Sequence, residues 1–305
     1  MFRKLLITIL TLSAWLPAFA QDNINYKIVH DRPRDVNNFV MALDVMQMDF
    51  AFNNIEGISF NLGVWGYADY HKTIGVDYAI RYGWMSLGRL GNADARRHTQ
   101  VEVGAYLPLI KRDVKRNFNV TLKSTVTRGA KYETTTTQYI VVPGTQYRGV
   151  GVRAGILHYG GVLTRPRELT ESGNDNYAVY GLYAGLFRSK TDNLRISTDK
   201  FGIRGYTHNV RLYIDATLTP ISTFKNTNNY YFNLPVGVRM GMWVLPSLPR
   251  KEAKGIYNKG VCVQIEVGVR RFDKFYTQAT VSIPVARKKL KALGAEDNEP
   301  VRTND

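Results

Sequence analysis

Five histidines are the residues of this 305-residue sequence best suited to metal binding or general-base work: His30, His71, His98, His158 and His208. No two stand at the HxH or HExxH spacing that puts paired ring nitrogens on one face of a strand or helix. A serine nucleophile activated on a strand needs a His-x-Ser pair sharing that face, but His208 is followed by Asn209 and Val210. The single cysteine, Cys262, has no intramolecular partner for a disulfide. These residues give no catalytic site, no metal site and no cofactor, so the expectation is a protein that is not an enzyme.

The remaining chemically capable residues are charged, and they recur on one side of a period-two pattern. Asp77 and Arg81 alternate with Ile74, Val76, Tyr78, Ile80 and Tyr82. Glu102 alternates with Val101, Val103, Ala105 and Leu107, and Lys123 with Phe118, Val120, Leu122 and Val126. Arg153 alternates with Val150, Val152, Ala154 and Ile156, and Arg211 and Asp215 with Val210, Leu212, Ile214 and Leu218. Arg239 opposes Val236, Val238, Met240 and Met242, while Glu266 and Arg270 oppose Val263, Ile265, Val267 and Val269. Asp69 belongs to the same set, opposite Ile58, Phe60, Leu62 and Val64. Neighbouring side chains of a strand point to opposite faces, so the charges lie on one face and the aliphatics on the other.

The elements that must carry such a pattern are long strands. The runs exceed the ~5–6 residues of a usual globular strand and match the ~9–11 tilted residues that cross a bilayer. Their apolar face carries no charge, as insertion requires when a mid-bilayer cation costs about 2–4 kcal/mol. Tyr82, Trp84, Trp243, Phe272, Phe275 and Tyr276 fall near strand ends, where membrane-interface aromatics sit. Glycine on the polar face (Gly63, Gly75, Gly104, Gly155, Gly237) relieves crowding inside a closed sheet. A soluble β-sandwich shares the period, but it needs neither the strand length nor the inward glycines. The expected fold is an all-β antiparallel transmembrane barrel of about 12 strands, with 10–14 allowed. Clean alternation yields nine strands, Phe39 to Asn53 and Tyr177 to Phe187 add weaker ones, and the twelfth is sought in Tyr132 to Val142, pairing back on Phe118 to Val126.

Residues 1–20 read as a signal peptide: Arg3 and Lys4, an apolar stretch from Leu5 to Leu16, and Ala18-Phe19-Ala20 before Gln21. Residues 21–37 then form an N-terminal periplasmic segment, 38–286 the barrel, and 287–305 a basic then acidic polar tail. No later stretch reaches the ~18 apolar residues of a helical span. The net charge is +16, which invites a nucleic-acid reading that export and the lack of a binding motif disfavour. The excess lies in turns and tail: Lys111, Arg112, Lys115 and Arg116; Arg250, Lys251 and Lys254; Arg287, Lys288, Lys289 and Lys291. The partners this suggests are outer-membrane lipids, including anionic headgroups, and an acidic periplasmic or envelope protein.

The Ala-Phe-Ala site followed by Gln21, the 19 tyrosines and a charged tail without terminal phenylalanine resemble outer-membrane barrels of the Bacteroidota. That resemblance implies either porin-like proteins or helper barrels of the type IX secretion and gliding machinery. The functional expectation is an integral outer-membrane barrel with porin-like small-solute transport or a structural role. The alternative is a docking barrel of an envelope complex; a soluble periplasmic sandwich and a lipid-modifying enzyme rank lower. The near balance of the polar face predicts a lumen charge network of Asp77, Arg81, Glu102, Lys123, Arg153, Arg211, Asp215, Arg239, Glu266 and Arg270, with cross-strand ion pairs narrowing the barrel.

Overall fold

A computed structural model of the chain describes residues 24–34, 39–51, 57–70, 73–87, 99–128, 133–164, 174–223, 234–245, 261–271 and 273–288. The signal-peptide reading, most of the tail, Phe272 and the basic residues within 246–260 lie outside them. Among the described residues there are eleven strands: β1 (Tyr26–Asp31), β2 (Phe39–Ala51), β3 (Gly57–Tyr70), β4 (Ile74–Leu87), β5 (Thr99–Arg128), β6 (Glu133–Thr164), β7 (Asn174–Thr198), β8 (Gly202–Ser222), β9 (Val236–Leu245), β10 (Cys262–Arg270) and β11 (Asp273–Lys288). Each strand from β2 to β11 pairs antiparallel with its sequence neighbours, and β11 pairs back on β2, from Tyr276↔Ala51 to Lys288↔Phe39. The sheet therefore closes as a ten-stranded barrel, at the lower end of the expected range, with β1 outside it.

The barrel has its polarity reversed relative to a soluble protein. Ile80, Ile156, Ile214 and Met240 are 50–58% exposed on the outside, whereas Arg81, Arg153, Arg211 and Arg239 are 3–7% exposed within. An apolar exterior around a charged interior fits lipid outside and has no place in a sandwich. Where alternation is imperfect, a bulge explains it. On β2 the register slips between Asp44 and Gln47, so that Val45 and Met46 both face outward while Asp44, Gln47 and Asp49 all stay inside.

The strand count changes for one physical reason. The runs at 99–110 and 118–128 are a single strand of 30 residues, paired throughout with the 32 residues of β6. Nothing in Lys111 to Asn117 breaks a ladder, as it contains neither glycine nor proline. At ~3.3 Å per residue β5 reaches about 100 Å, several times what a ~30 Å hydrocarbon layer needs. Of the expected segment, residues 135–142 do pair back on 118–126, as Val142 with Phe118 and Thr135 with Val126, yet in an extension beyond the barrel and not as a twelfth membrane strand. Phe118, Val120 and Leu122 are correspondingly buried and face no lipid.

This extension leaves the end of the barrel where β2 starts and β11 finishes. There β6 parts from β7 after Gln146↔Asp192, and β1 takes its place on the β7 edge from Asp31↔Leu194 to Tyr26↔Thr198. The fork is tied by Asp31, whose carboxylate accepts hydrogen bonds from the Thr145 backbone N–H and Oγ1, both at 2.8 Å. The β5–β6 arm then folds against the β7–β8 arm, packing Phe118, Val120 and Val142 on Leu194 and Ile196. The β7–β8 arm turns through Gly202, whose φ of 64° lies in the left-handed region that glycine tolerates.

Candidate functional site: a filled lumen

Three layers fill the barrel. At the terminal end Val40, Ala42, Trp65, Tyr67, Trp243, Leu245 and Cys262 form an apolar and aromatic layer. At the opposite end Leu157, Tyr159, Tyr177, Val179 and Tyr183 form another. Between them lies the charge network.

Arg239 is at its centre. Its Nε donates to Asp215 Oδ2 at 3.0 Å and its Nη1 to Glu102 Oε1 at 2.7 Å, with Glu266 Oε2 at 3.5 Å. Arg153 bridges Asp215 and Asp77 at 3.6 and 3.8 Å and donates to Tyr183 Oη at 3.2 Å. Arg211 lies 3.6 Å from Asp77 and 3.9 Å from Asp69, with its guanidinium 3.7 Å from the Tyr106 ring centroid and 4.8 Å from that of Trp243. Arg81 donates to Asp44 at 2.7 Å and Gln264 at 2.6 Å. Arg270 donates to Asp49 at 3.0 Å and stacks 4.3 Å over Tyr276. Tyrosines complete the shell: Tyr213 and Tyr276 donate to the two oxygens of Glu266, and Tyr106 donates to Asp69. A buried charge is tolerable only when paired and hydrogen-bonded, and here each carboxylate meets at least one arginine.

The rings need room, and inward glycines supply it. A Cβ on Gly75 would strike the Tyr106 ring, and one on Gly104 the Tyr183 hydroxyl. The packing leaves a cavity of about 60 Å³ among Trp65, Arg81, Glu102, Arg153, Tyr213 and Glu266. At the ~10–15 Å³ that one water requires in this measure, that is space for a few waters and for no solute.

No family model matches this sequence, and no curated protein matches it. Among solved structures, the chain is similar to the β-domain of the Bordetella autotransporter BrkA, at 13% identity over 82% of this chain and 100% of that one, with a TM-score of 0.24. That score carries no argument, and the fold rests on the closed strand ladders.

Nine of the ten charged residues expected in the network lie together in the lumen. Lys123 does not: it is exposed on the β5 arm, beyond the last rung of the barrel. Two of the expected interface aromatics are also lumen residues. Trp243 shares the parity of Arg239, stacks on Tyr67 at 5.2 Å between ring centroids and meets Trp65 at 5.8 Å with the rings tilted, and Tyr276 is hydrogen-bonded to Glu266. Tyr82 and Phe275 do face outward, 49% and 43% exposed; the Trp84 side chain and Phe272 lie outside the described residues. Sequence reasoning missed Asp44, Gln47 and Asp49, hidden by the β2 bulge, and Gln100. With Asn61 and Gln278, which period two puts on the polar face, Gln47 and Gln100 form a polar strip. In that strip Asn61 donates to Gln47 at 2.9 Å and Gln278 to Asp49 at 2.8 Å. Strict period-two parity read from Glu102 and Gly63 finds Gln100 and Asn61. Among the described residues no cluster of histidine, cysteine and carboxylates could hold a metal; His158 is taken up by stacking on Tyr180 at 4.6 Å.

Proposed function

We propose that this chain is a non-enzymatic integral outer-membrane barrel that docks a partner in the envelope and conducts no solute. The observation that carries the reading is the filled lumen, whose arginines are each held by carboxylates or ring faces. A porin leaves a polar aqueous channel and positions unpaired charge along it; this barrel spends its inward charges on one another. Its distinctive surface is instead the two-armed extension at the terminal end. With ten strands both barrel termini share that end, which in an exported barrel is the periplasmic one, and a Bacteroidota-type envelope is the expected setting. The extension offers exposed strand edges with the β-branched Thr136 and Thr137 and the aromatic Tyr139, of the kind that partners join by adding a strand.

The test is native gel electrophoresis of mildly solubilised outer membranes. The full chain is expected in a complex larger than its own mass. Replacing residues 116–144 by a short turn should leave the barrel in the outer membrane, with the gel shift on heating typical of such barrels, but release it from the complex. A lone barrel before and after truncation would contradict docking, and recovery in the soluble periplasm would contradict the membrane reading.

A further inference from the structure

The outer face of β5, β6 and β7 carries a row of cations just where the apolar belt ends. The register pairs Arg112 with Arg148 and Arg148 with Lys190, so three cations occupy adjacent strands on one rung, ~4.8 Å apart from strand to strand. Arg188, opposite Val150, stands one rung nearer the membrane centre. Side chains directly opposite share a face, and like charges so placed repel. Among the described residues none of these four forms an ion pair; Arg148 donates only to Gln146, at 2.7 Å. The nearest acid on that face is Asp192, one rung farther out and 3% exposed, where it accepts from Gln146 at 2.8 Å. Burial raises its carboxyl from the ordinary value, against the lowering effect of the Gln146 hydrogen bond, Arg116 and Lys190.

Beside this row, mainly over β7 to β10, lies a trough of about 520 Å³ on the membrane-facing surface. Its walls are Leu186, Leu212, Ile214, Met240, Met242 and Ile265, and Arg188 stands at its rim. An apolar trough at hydrocarbon depth, ending in unpaired cations at headgroup depth, matches one ligand chemistry: a hydrocarbon chain joined to a phosphate. We infer that β6 to β10 form a specific site for an anionic glycerophospholipid, its acyl chain in the trough and its phosphate on Arg148, Arg188 and Lys190. The inference rests on the membrane reading above. It goes beyond general contact with lipid, because the cations cluster over three strands and the trough opens beside them.

The experiment is native mass spectrometry of the full chain released from micelles containing equal phosphatidylglycerol, phosphatidylcholine and lipid A. One phosphatidylglycerol should be retained in clear preference to phosphatidylcholine. Arg148→Gln with Lys190→Gln should lower that preference by about tenfold, while Lys27→Gln with Lys123→Gln, which remove equal charge elsewhere, should leave it unchanged. Met240→Trp, which fills the trough, should reduce retention of the diacyl lipid. Equal retention of the two glycerophospholipids, or equal loss in both double variants, would overturn the site, and preferential retention of lipid A would overturn its assignment to a glycerophospholipid. Protein that leaves the micelle for the aqueous phase would contradict the membrane reading itself, a distinguishable failure.

Discussion

Replacing Arg239 by Met is expected to destabilise the folded barrel by about 3–5 kcal/mol, the cost of breaking a buried ion pair by removing one partner. Methionine preserves much of the length and fills much of the space, so the loss is electrostatic and not a cavity effect. The guanidinium meets Asp215 and Glu102 at 3.0 and 2.7 Å and Glu266 at 3.5 Å, and no other arginine takes over all three. Their remaining partners are Arg153, which reaches Asp215 at 3.6 Å, the Gln100 amide, which donates to Glu102 at 2.7 Å, and the hydroxyls of Tyr213 and Tyr276 on Glu266. Urea titration of the protein folded in lipid vesicles measures the change. Adding Glu102→Gln to the variant should restore part of the loss, because one orphaned charge is then removed. A destabilisation below about 1 kcal/mol, the level of a solvent-exposed pair, would mean that water reaches the network and the lumen is not filled.

Ile265→Arg is expected to cost about 2–4 kcal/mol by a different route, since it places a cation at mid-height of the lipid-facing surface. Ile265 is 43% exposed outward and is flanked by Met242 on β9 and Ala279 on β11. The same change at Ile110, which is 53% exposed beside Lys111 and Arg112, should cost about 0–1 kcal/mol, because there the new cation reaches the headgroups. Folding yield into vesicles of matched composition, read from the heat-sensitive gel shift, separates the two. Equal effects at both positions would contradict a bilayer around this face, and a negligible effect at Ile265 would place water there.

The sequence carried the polarity of the barrel because period two is enforced residue by residue. Parity along β4, β8, β9 and β10 put Asp77, Arg81, Arg211, Asp215, Arg239, Glu266 and Arg270 on one face, and the lumen holds them. Trp243 was legible by the same rule, being one residue from Met242 and two from Gly241, but its place near a strand end suggested an interface anchor. What parity cannot give is where a strand leaves the membrane. The β5 run continues past Lys111 without a breaker, and β6 runs alongside it through Pro143 and Gly144, so their outer portions read as separate spans although Phe118 and Val142 pack on Leu194 and Ile196 instead of lipid. A one-residue bulge likewise hid Asp44 and Asp49, because it inverts parity halfway along β2. The ion pairs depend on register and closure, which follow from which strands meet and not from the pattern of any one strand.

The central claim is that this membrane barrel is closed by its own side chains, and ion conductance of the purified, refolded full chain in planar lipid bilayers tests it most directly. With Arg239, Arg153 and Arg211 held by Asp215, Glu102, Asp77 and Asp69, and a central cavity of about 60 Å³, inserted protein should show no steady ohmic current. A large, stable, ohmic conductance that scales with the amount of inserted barrel would contradict the filled lumen and make the protein a porin.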